Sequence, residues 1–307
     1  MAQEQVRLTG LDLLSALAAT GSLTPCAEEL VARLNPATGR RSDVPADPEQ
    51  TELVLVEHGA RTRYLFPSAG LRASRAAALA AVAARALVSP GVVTAAVLGS
   101  GPDAQPQLMM IARHVPAVSH IAVCPVGAER GSTVAPRVLD QIAEAGIGLT
   151  LNTDVRQTLF GANLVVATAQ SPGPVRYAEL AKGALLVNAS GTDLPNDVVD
   201  RVDKVYADAP DLMARHRDRY FVRRHLSASA ARGRLPPPSA GLVAHPPGIV
   251  VGLGTVLSGA YRSRVGADEI RLVELLSAGE PDLRLAAELC RTARFLSLGA
   301  SHGRDLN

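Results

Sequence analysis

Ala96-Val97-Leu98-Gly99-Ser100-Gly101-Pro102-Asp103-Ala104 runs an apolar strand directly into a GxGxxA turn, and a helical pattern begins behind it. Glycine spacing alone is a weak signal. Its surroundings strengthen it, because a second apolar run, Ile121 to Cys124, follows about 20 residues on, as in a dinucleotide-binding βαβ unit. Each residue then has a physical task. Gly99 permits the tight turn, Gly101 lets a diphosphate approach the backbone, and small Ala104 allows the helix to pack close to the strand. Ser100 and Pro102 complete the cradle. The helix N-terminus turns free N–H groups and a positive dipole end toward the phosphates. Asp103 opposes this unless its carboxylate is turned outward.

Outward from that turn, short apolar runs alternate with spacers that hold helices. The runs are Val92 to Leu98, Ile121 to Cys124, Ile147 to Leu151, Leu164 to Ala167, Ala184 to Val187 and Val205 to Tyr206. The spacers include helical patterns over Gln107 to Val115 and Val134 to Ala145. This alternation predicts a parallel sheet covered on both faces, an α/β fold of Rossmann type with a doubly wound sheet.

The flanks read differently. Leu11, Leu13, Leu14, Leu17 and Ala18 share one helical face behind Thr9-Gly10, and a second helical run covers Ala27 to Leu34. Residues 35 to 50 read as a loop. Leu53 to Val56 and Tyr64 to Phe66 form a hairpin pattern around His58-Gly59-Ala60, and an alanine-rich helix covers Leu71 to Val88. The basic stretch with Arg215, Arg217, Arg219, Arg223 and Arg224 reads as a solvated helix face, and the proline-rich segment after it as a loop returning the chain to its first domain. A strand over Glu269 to Val273 and a helix from Pro281 to about Leu298 finish the chain. The resulting expectation is a dinucleotide-binding domain over 91–244. Residues 1–90 and 245–307 are expected to form a smaller α+β substrate and dimerisation domain.

Composition narrows the partners. The chain has 307 residues and a net charge of only +2, so no electrostatic field argues for nucleic acid, and at 3% aromatic content it lacks stacking platforms for bases. No apolar run approaches the ~18 to 20 residues of a membrane helix, and the first residues lack the layout of a signal peptide. A cytoplasmic protein is expected, with neither nucleic acid nor membrane as a partner. Cys26, Cys124 and Cys290 are widely spaced and read as small buried hydrophobes, and the scattered histidines give no metal site.

The end of the second strand bears on the cofactor. An acid that binds ribose hydroxyls is expected there, but the chain reads Val123-Cys124-Pro125-Val126-Gly127. Glu129 comes late, beside Arg130, Ser132 and Thr133, which suit a 2′-phosphate. NAD and NADP both stay open, with a lean to NADP through Arg130.

Several segments together resemble the ornithine cyclodeaminase/mu-crystallin family. They are Leu71-Arg72-Ala73-Ser74-Arg75-Ala76-Ala77, the loop at Gly99 with Gln107-Leu108, Val165-Val166-Ala167-Thr168-Ala169, and Val187-Asn188-Ala189-Ser190-Gly191-Thr192-Asp193-Leu194-Pro195. The resemblance continues weakly into Asp268-Glu269-Ile270 and Asp282-Leu283. It implies NAD(P)-linked chemistry at the Cα–N bond of an amino acid or cyclic imine. Arg75 would clamp the substrate α-carboxylate, and Asp193 would act as acid/base at the nitrogen. Thr168, Asn188 and Gly191 would lie against the cofactor. The resemblance also implies a homodimer paired through the first domain.

The departures from the family redirect the expected reaction. Only Lys182 and Lys204 are lysines, so the lysine that the family's first domain supplies is absent, and the glycine loop comes roughly 30 residues early. The expected Ser-Val-Gly element reads Leu275-Leu276-Ser277. Arginine cannot stand in as a neutral base. Imine reduction or amino-acid oxidation therefore ranks above cyclisation of ornithine. The competing reading is a binding or scaffold protein that keeps the fold without turnover and partners a specialised biosynthetic pathway.

Overall fold

A computed structural model describes residues 4–20, 23–32, 52–57, 62–125, 134–232, 248–261, 266–277 and 283–302. Arg130, Ser132, Thr133 and the expected loop over 35–50 lie outside the described residues.

The chain opens with β1 (Glu4–Arg7), α1 (Gly10–Thr20) and α2 (Thr24–Ala32). Thr9 and Asp12 cap α1 reciprocally. The Thr9 N–H donates to Asp12 Oδ2 at 2.8 Å, and the Asp12 N–H donates to Thr9 Oγ1 at 3.2 Å. The hairpin strands are β2 (Glu52–Glu57) and β3 (Thr62–Pro67), and α3 (Ser68–Leu87) follows. Alanines let neighbours approach α3 on nearly every side, and it is buried around most of its circumference.

The alternating region supplies β4 (Val93–Leu98), α4 (Ala104–His114), β5 (Val118–Cys124), α5 (Pro136–Glu144), β6 (Gly148–Leu151), α6 (Val155–Leu159) and β7 (Leu164–Ala167). It continues with β8 (Leu185–Asn188), α7 (Asn196–Arg201), β9 (Lys204–Ala207) and, after a 3-10 turn, α8 (Tyr220–Arg232). The last elements are β10 (Val250–Gly252), α9 (Leu253–Leu257), β11 (Arg271–Glu274), α10 (Leu283–Phe295) and β12 (Ala300–His302).

Two sheets result. The larger has the order β10-β9-β11-β8-β7-β4-β5-β6, and every pairing in it is parallel. Strands β7, β8, β9 and β11 are buried along their whole length, as expected for a sheet covered on both faces. Strand order reverses between β4 and β7, which fixes where a crevice opens at the carboxyl edge. The smaller sheet has the order β12-β1-β3-β2.

The segment after 245 divides between the sheets, which corrects the expectation that all of it joins the first domain. β12 pairs antiparallel with β1, whereas β11 inserts between β8 and β9, and β10 extends the same sheet beyond β9. Leu272 and Val273 are wholly buried there, burial that a strand at the edge of a small sheet would not provide. No helix among the described residues is long and apolar enough to cross a membrane.

Candidate functional site

The turn after β4 has the backbone that its glycines predict. Gly99 has φ 121°, and a Cβ there would lie 2.3 Å from Thr168 Oγ1 and 3.0 Å from the Gln170 carbonyl oxygen, so this position admits only glycine. Thr168, just past β7, is held by its hydroxyl donating to the Leu98 carbonyl at 2.7 Å. The two sides of the crevice are thus tied together at its floor. Gln105 fastens the outer side, donating to the Ser100 carbonyl at 2.6 Å and accepting from the Ala135 N–H at 2.9 Å.

Over Gly101 the nearest obstruction among the described residues is the tip of a flexible side chain. A Cβ on Gly101 would meet Gln170 Oε1 at 2.1 Å, and Gln170 is an exposed residue. Ala104 opens α4 and is fully buried against the strand. Pro102 lies on the surface of the turn. Asp103, ahead of α4, has its carboxyl pushed above the usual range by burial, partly offset by Arg72.

At the carboxyl edge of β8 and β11 a second group of side chains meets. Asn188 ends β8, and its amide donates to Glu274 Oε2 at 2.9 Å and to the Thr192 carbonyl at 2.8 Å. Glu274 ends β11 and is 1% exposed. Arg219 joins Glu274 to Asp193: Nη2 donates to Glu274 Oε2 at 2.7 Å and Nε to Asp193 Oδ1 at 2.8 Å. Its guanidinium also meets the carbonyls of Thr192 and Gly191. Gly191 supplies the turn with φ 73°. Asp193 further accepts the Tyr220 N–H at 3.1 Å, so it caps α8 while its side chain stays 41% exposed. Burial pushes the Glu274 carboxyl up to about 7, with Arg219 and Asn188 opposing and Asp193 adding to the rise. Glu274 Oε1 has no hydrogen-bond partner among the described residues.

Arg75 lies on α3 and is 1% exposed. Its guanidinium engages Glu29 of α2 through two parallel bonds, Nη1 to Oε2 and Nη2 to Oε1, each 3.0 Å. Nε donates to the Ser277 carbonyl at 2.9 Å and Nη2 to Ser277 Oγ at 3.0 Å. The Ser277 hydroxyl donates a hydrogen bond to Asp208, which also accepts from the N–H groups of Leu276 and Ser277. Asp208 follows β9 and is fully buried. Burial raises its pKa, while these bonds and Arg75 hold it down.

The structure therefore gathers Gly99, Ser100, Gly101, Ala104 and Thr168 around one crevice, and Asn188, Gly191 and Asp193 around the next strand ends. The guanidinium of Arg75, expected to take a ligand's carboxylate, is given to Glu29 and Ser277. Sequence reading missed Glu29, Asp208, Arg219 and Glu274. For Arg219 it gave the opposite answer, since a residue read as part of a solvated face is 7% exposed. The available signal was a carboxylate closing an otherwise apolar strand, Leu272-Val273-Glu274.

Comparison with known proteins agrees with this architecture. The profile of the ornithine cyclodeaminase/mu-crystallin family matches residues 37–275. A protein of Rhizobium meliloti (strain 1021) named as a dehydrogenase is 28% identical over 212 residues, 69% of this chain and 60% of that protein. The chain thus spans less than two thirds of that relative's length. Among solved structures, CmnK superposes with a TM-score of 0.65 at 18% identity, covering 100% of both chains. The Δ1-pyrroline-2-carboxylate reductase of Thermococcus litoralis, solved with NADH and L-proline, gives 0.63 at 12% identity, covering 96% of this chain and 99% of that one. At such identities the two structures establish the fold.

Proposed function

The chain belongs to the ornithine cyclodeaminase/mu-crystallin family, and on that footing we propose that it is an NAD(P)-dependent oxidoreductase acting at the carbon–nitrogen bond of an amino acid or cyclic imine. The observation that carries the proposal is the glycine loop at the strand-order reversal. Gly99 is fixed there by a positive φ and by Thr168, and the atoms nearest a Cβ on Gly101 belong to the movable tip of Gln170. A dinucleotide fits these residues. The backbone of Gly99 to Ala104 would hold the diphosphate at the start of α4. Thr168, Asn188 and Gly191 would border the nicotinamide, and Arg130 would favour NADP over NAD. The reductase of Thermococcus litoralis, solved with NADH, supports the binding of a nicotinamide dinucleotide, without bearing on NADP over NAD.

When bound, the nicotinamide supplies the hydride, which no side chain can provide. The chain supplies the proton and the geometry. Asp193 is exposed enough to reach a substrate nitrogen and is held in one orientation by Arg219 and the Tyr220 N–H. Glu274 anchors Arg219 from beneath. Neither lysine is near this group. Lys182 pairs with Asp268 on the surface, and Lys204 pairs with Glu269 at the opposite edge of the sheet from the crevice. The reading therefore favours imine reduction or amino-acid oxidation over cyclodeamination. Pairing as a homodimer through the four-stranded sheet belongs to the same proposal.

The direct test mixes the purified protein with NADH or NADPH and a panel of cyclic imines, and follows the absorbance of the reduced nicotinamide. Turnover is expected, and Asp193→Asn should lower it by about 100-fold while leaving dinucleotide affinity unchanged. One observation favours a second reading. Gln170 lies over the loop and Glu29 fills the Arg75 clamp, an arrangement that suits a scaffold without turnover. Dinucleotide binding without turnover on any imine would select it.

A further inference from the structure

Among the described residues, Arg75 is held by a highly specific geometry. The guanidinium makes two parallel bonds to Glu29 and two more to Ser277. The Glu29 pair has the fork-on-fork arrangement with which arginine recognises a free carboxylate. Here that carboxylate belongs to the chain. Asp208 stands behind Ser277, so a second acidic group already shares the surroundings of the same cation.

Glu29 is also held in position by its helix. Cys26 and Leu30 of α2 are buried, and Gly254 of α9 lies so close that a Cβ there would sit 2.1 Å from the Leu30 carbonyl oxygen. The absence of a side chain at Gly254 is what lets α9 press on the backbone of α2, one residue from Glu29. A helix packed backbone to backbone does not swing aside for a small ligand, because a shift would open voids along both faces.

We infer that Glu29 permanently occupies the carboxylate position at Arg75, and that the substrate is an amine or imine bearing no carboxylate there, for which 1-pyrroline is the simplest cyclic probe. This narrows the proposed function to imine reduction or amine oxidation, without amino-acid oxidation, and rests on it for the location of the site. Arg75 is then a positioning residue that joins α2 and α3 to the Ser277 turn. A ligand carboxylate would have to displace Glu29, three-quarters buried, from both of its bonds to Arg75.

Two measurements separate this inference from the hydride reading beneath it. The first needs no cofactor: thermal melting of wild type and Glu29→Ala, in sodium acetate and in sodium chloride at matched ionic strength. Glu29→Ala is expected to melt lower than wild type and to be raised by acetate, with wild type indifferent. Acetate acting on both equally, or on neither, overturns the inference. If Glu29→Ala does not fold, Glu29→Gln takes its place with the same expectation.

The second compares reduction of 1-pyrroline and Δ1-pyrroline-2-carboxylate by NADPH or NADH. Wild type should favour 1-pyrroline in kcat/KM by about 10-fold or more, and Glu29→Gln should narrow the ratio by about the same factor. Preference of wild type for the carboxylated imine overturns the inference while leaving the hydride reading intact. Specific rescue by acetate with neither imine reduced upholds the occupied clamp and removes the hydride reading instead.

Discussion

Replacing Glu274 with glutamine should change how stability depends on pH, in a way that isolates one buried carboxyl. Burial raises Glu274 from its ordinary 4.5 to about 7, which corresponds to about 3 kcal/mol between its two protonation states. The folded chain holds this proton more tightly than the unfolded chain does. The contribution of Glu274 is therefore fully present below its unfolded value and is lost as the pH rises through about 7. Of the total, about 2 kcal/mol falls between about pH 5 and about pH 8. Glutamine keeps the shape and an oxygen for Arg219 but cannot ionise, and Arg219 retains Asp193 and the Thr192 carbonyl. Urea unfolding followed by circular dichroism at several pH values gives the difference between the two proteins, in which titrations elsewhere cancel. Wild type should lose stability relative to Glu274→Gln as the pH rises. A difference that stays constant, or that runs the other way, refutes the account of the Glu274 environment.

Three further outcomes follow from the same geometry. Asp193→Asn removes a negative charge that raises Glu274, so the midpoint of the wild-type titration should move below about 7, read from the same unfolding series. Gly254→Ala drives a methyl into the Leu30 carbonyl and should cost about 3 kcal/mol, lowering the melting temperature by about 5 °C or more; an unchanged melting curve would contradict the close packing of α9 on α2. Gln170→Ala clears the space over Gly101 and should tighten dinucleotide binding about threefold, one displaced polar contact being worth about 0.7 kcal/mol. Weaker binding would mean that Gln170 helps to hold the ligand.

The parts of this fold that were legible were those whose signal is local. Ala96 to Ala104 announced a strand, a turn and a helix through one apolar run and two glycines, and β7 falls on Leu164 to Ala167 as read. The alanines of α3 gave its helical period directly. The pairing of β1 with β12 was not legible, because Glu4-Gln5-Val6-Arg7 and Ala300-Ser301-His302 are short and polar, and their partner lies at the other end of the chain. The position of β11 between β8 and β9 is likewise a fact of sheet order, which no window of residues contains.

The site divides along the same line. Gly99, Gly101, Thr168, Asn188 and Asp193 could be named because each belongs to a strand end or turn with its own sequence signature. Glu29 and Glu274 could not, since each acquires its role from an arginine brought to it by the fold, 46 residues away for Arg75 and 55 for Arg219. The arginine run also shows why charge patterning misleads. Arg217 and Arg223 are the solvated residues it predicts, while Arg219 turns inward because two carboxylates await it.

The central claim is that the loop from Gly99 to Ala104 binds a nicotinamide dinucleotide. Titrating NADPH and NADH into wild type and Gly101→Val, followed by nicotinamide fluorescence, tests it most directly. The atoms nearest a Cβ there belong to the movable side chain of Gln170, so the variant should fold yet deny a diphosphate its approach to the backbone. The account predicts saturable micromolar binding by wild type that Gly101→Val abolishes. Absence of binding by wild type at millimolar dinucleotide, or equal binding by both proteins, would contradict it.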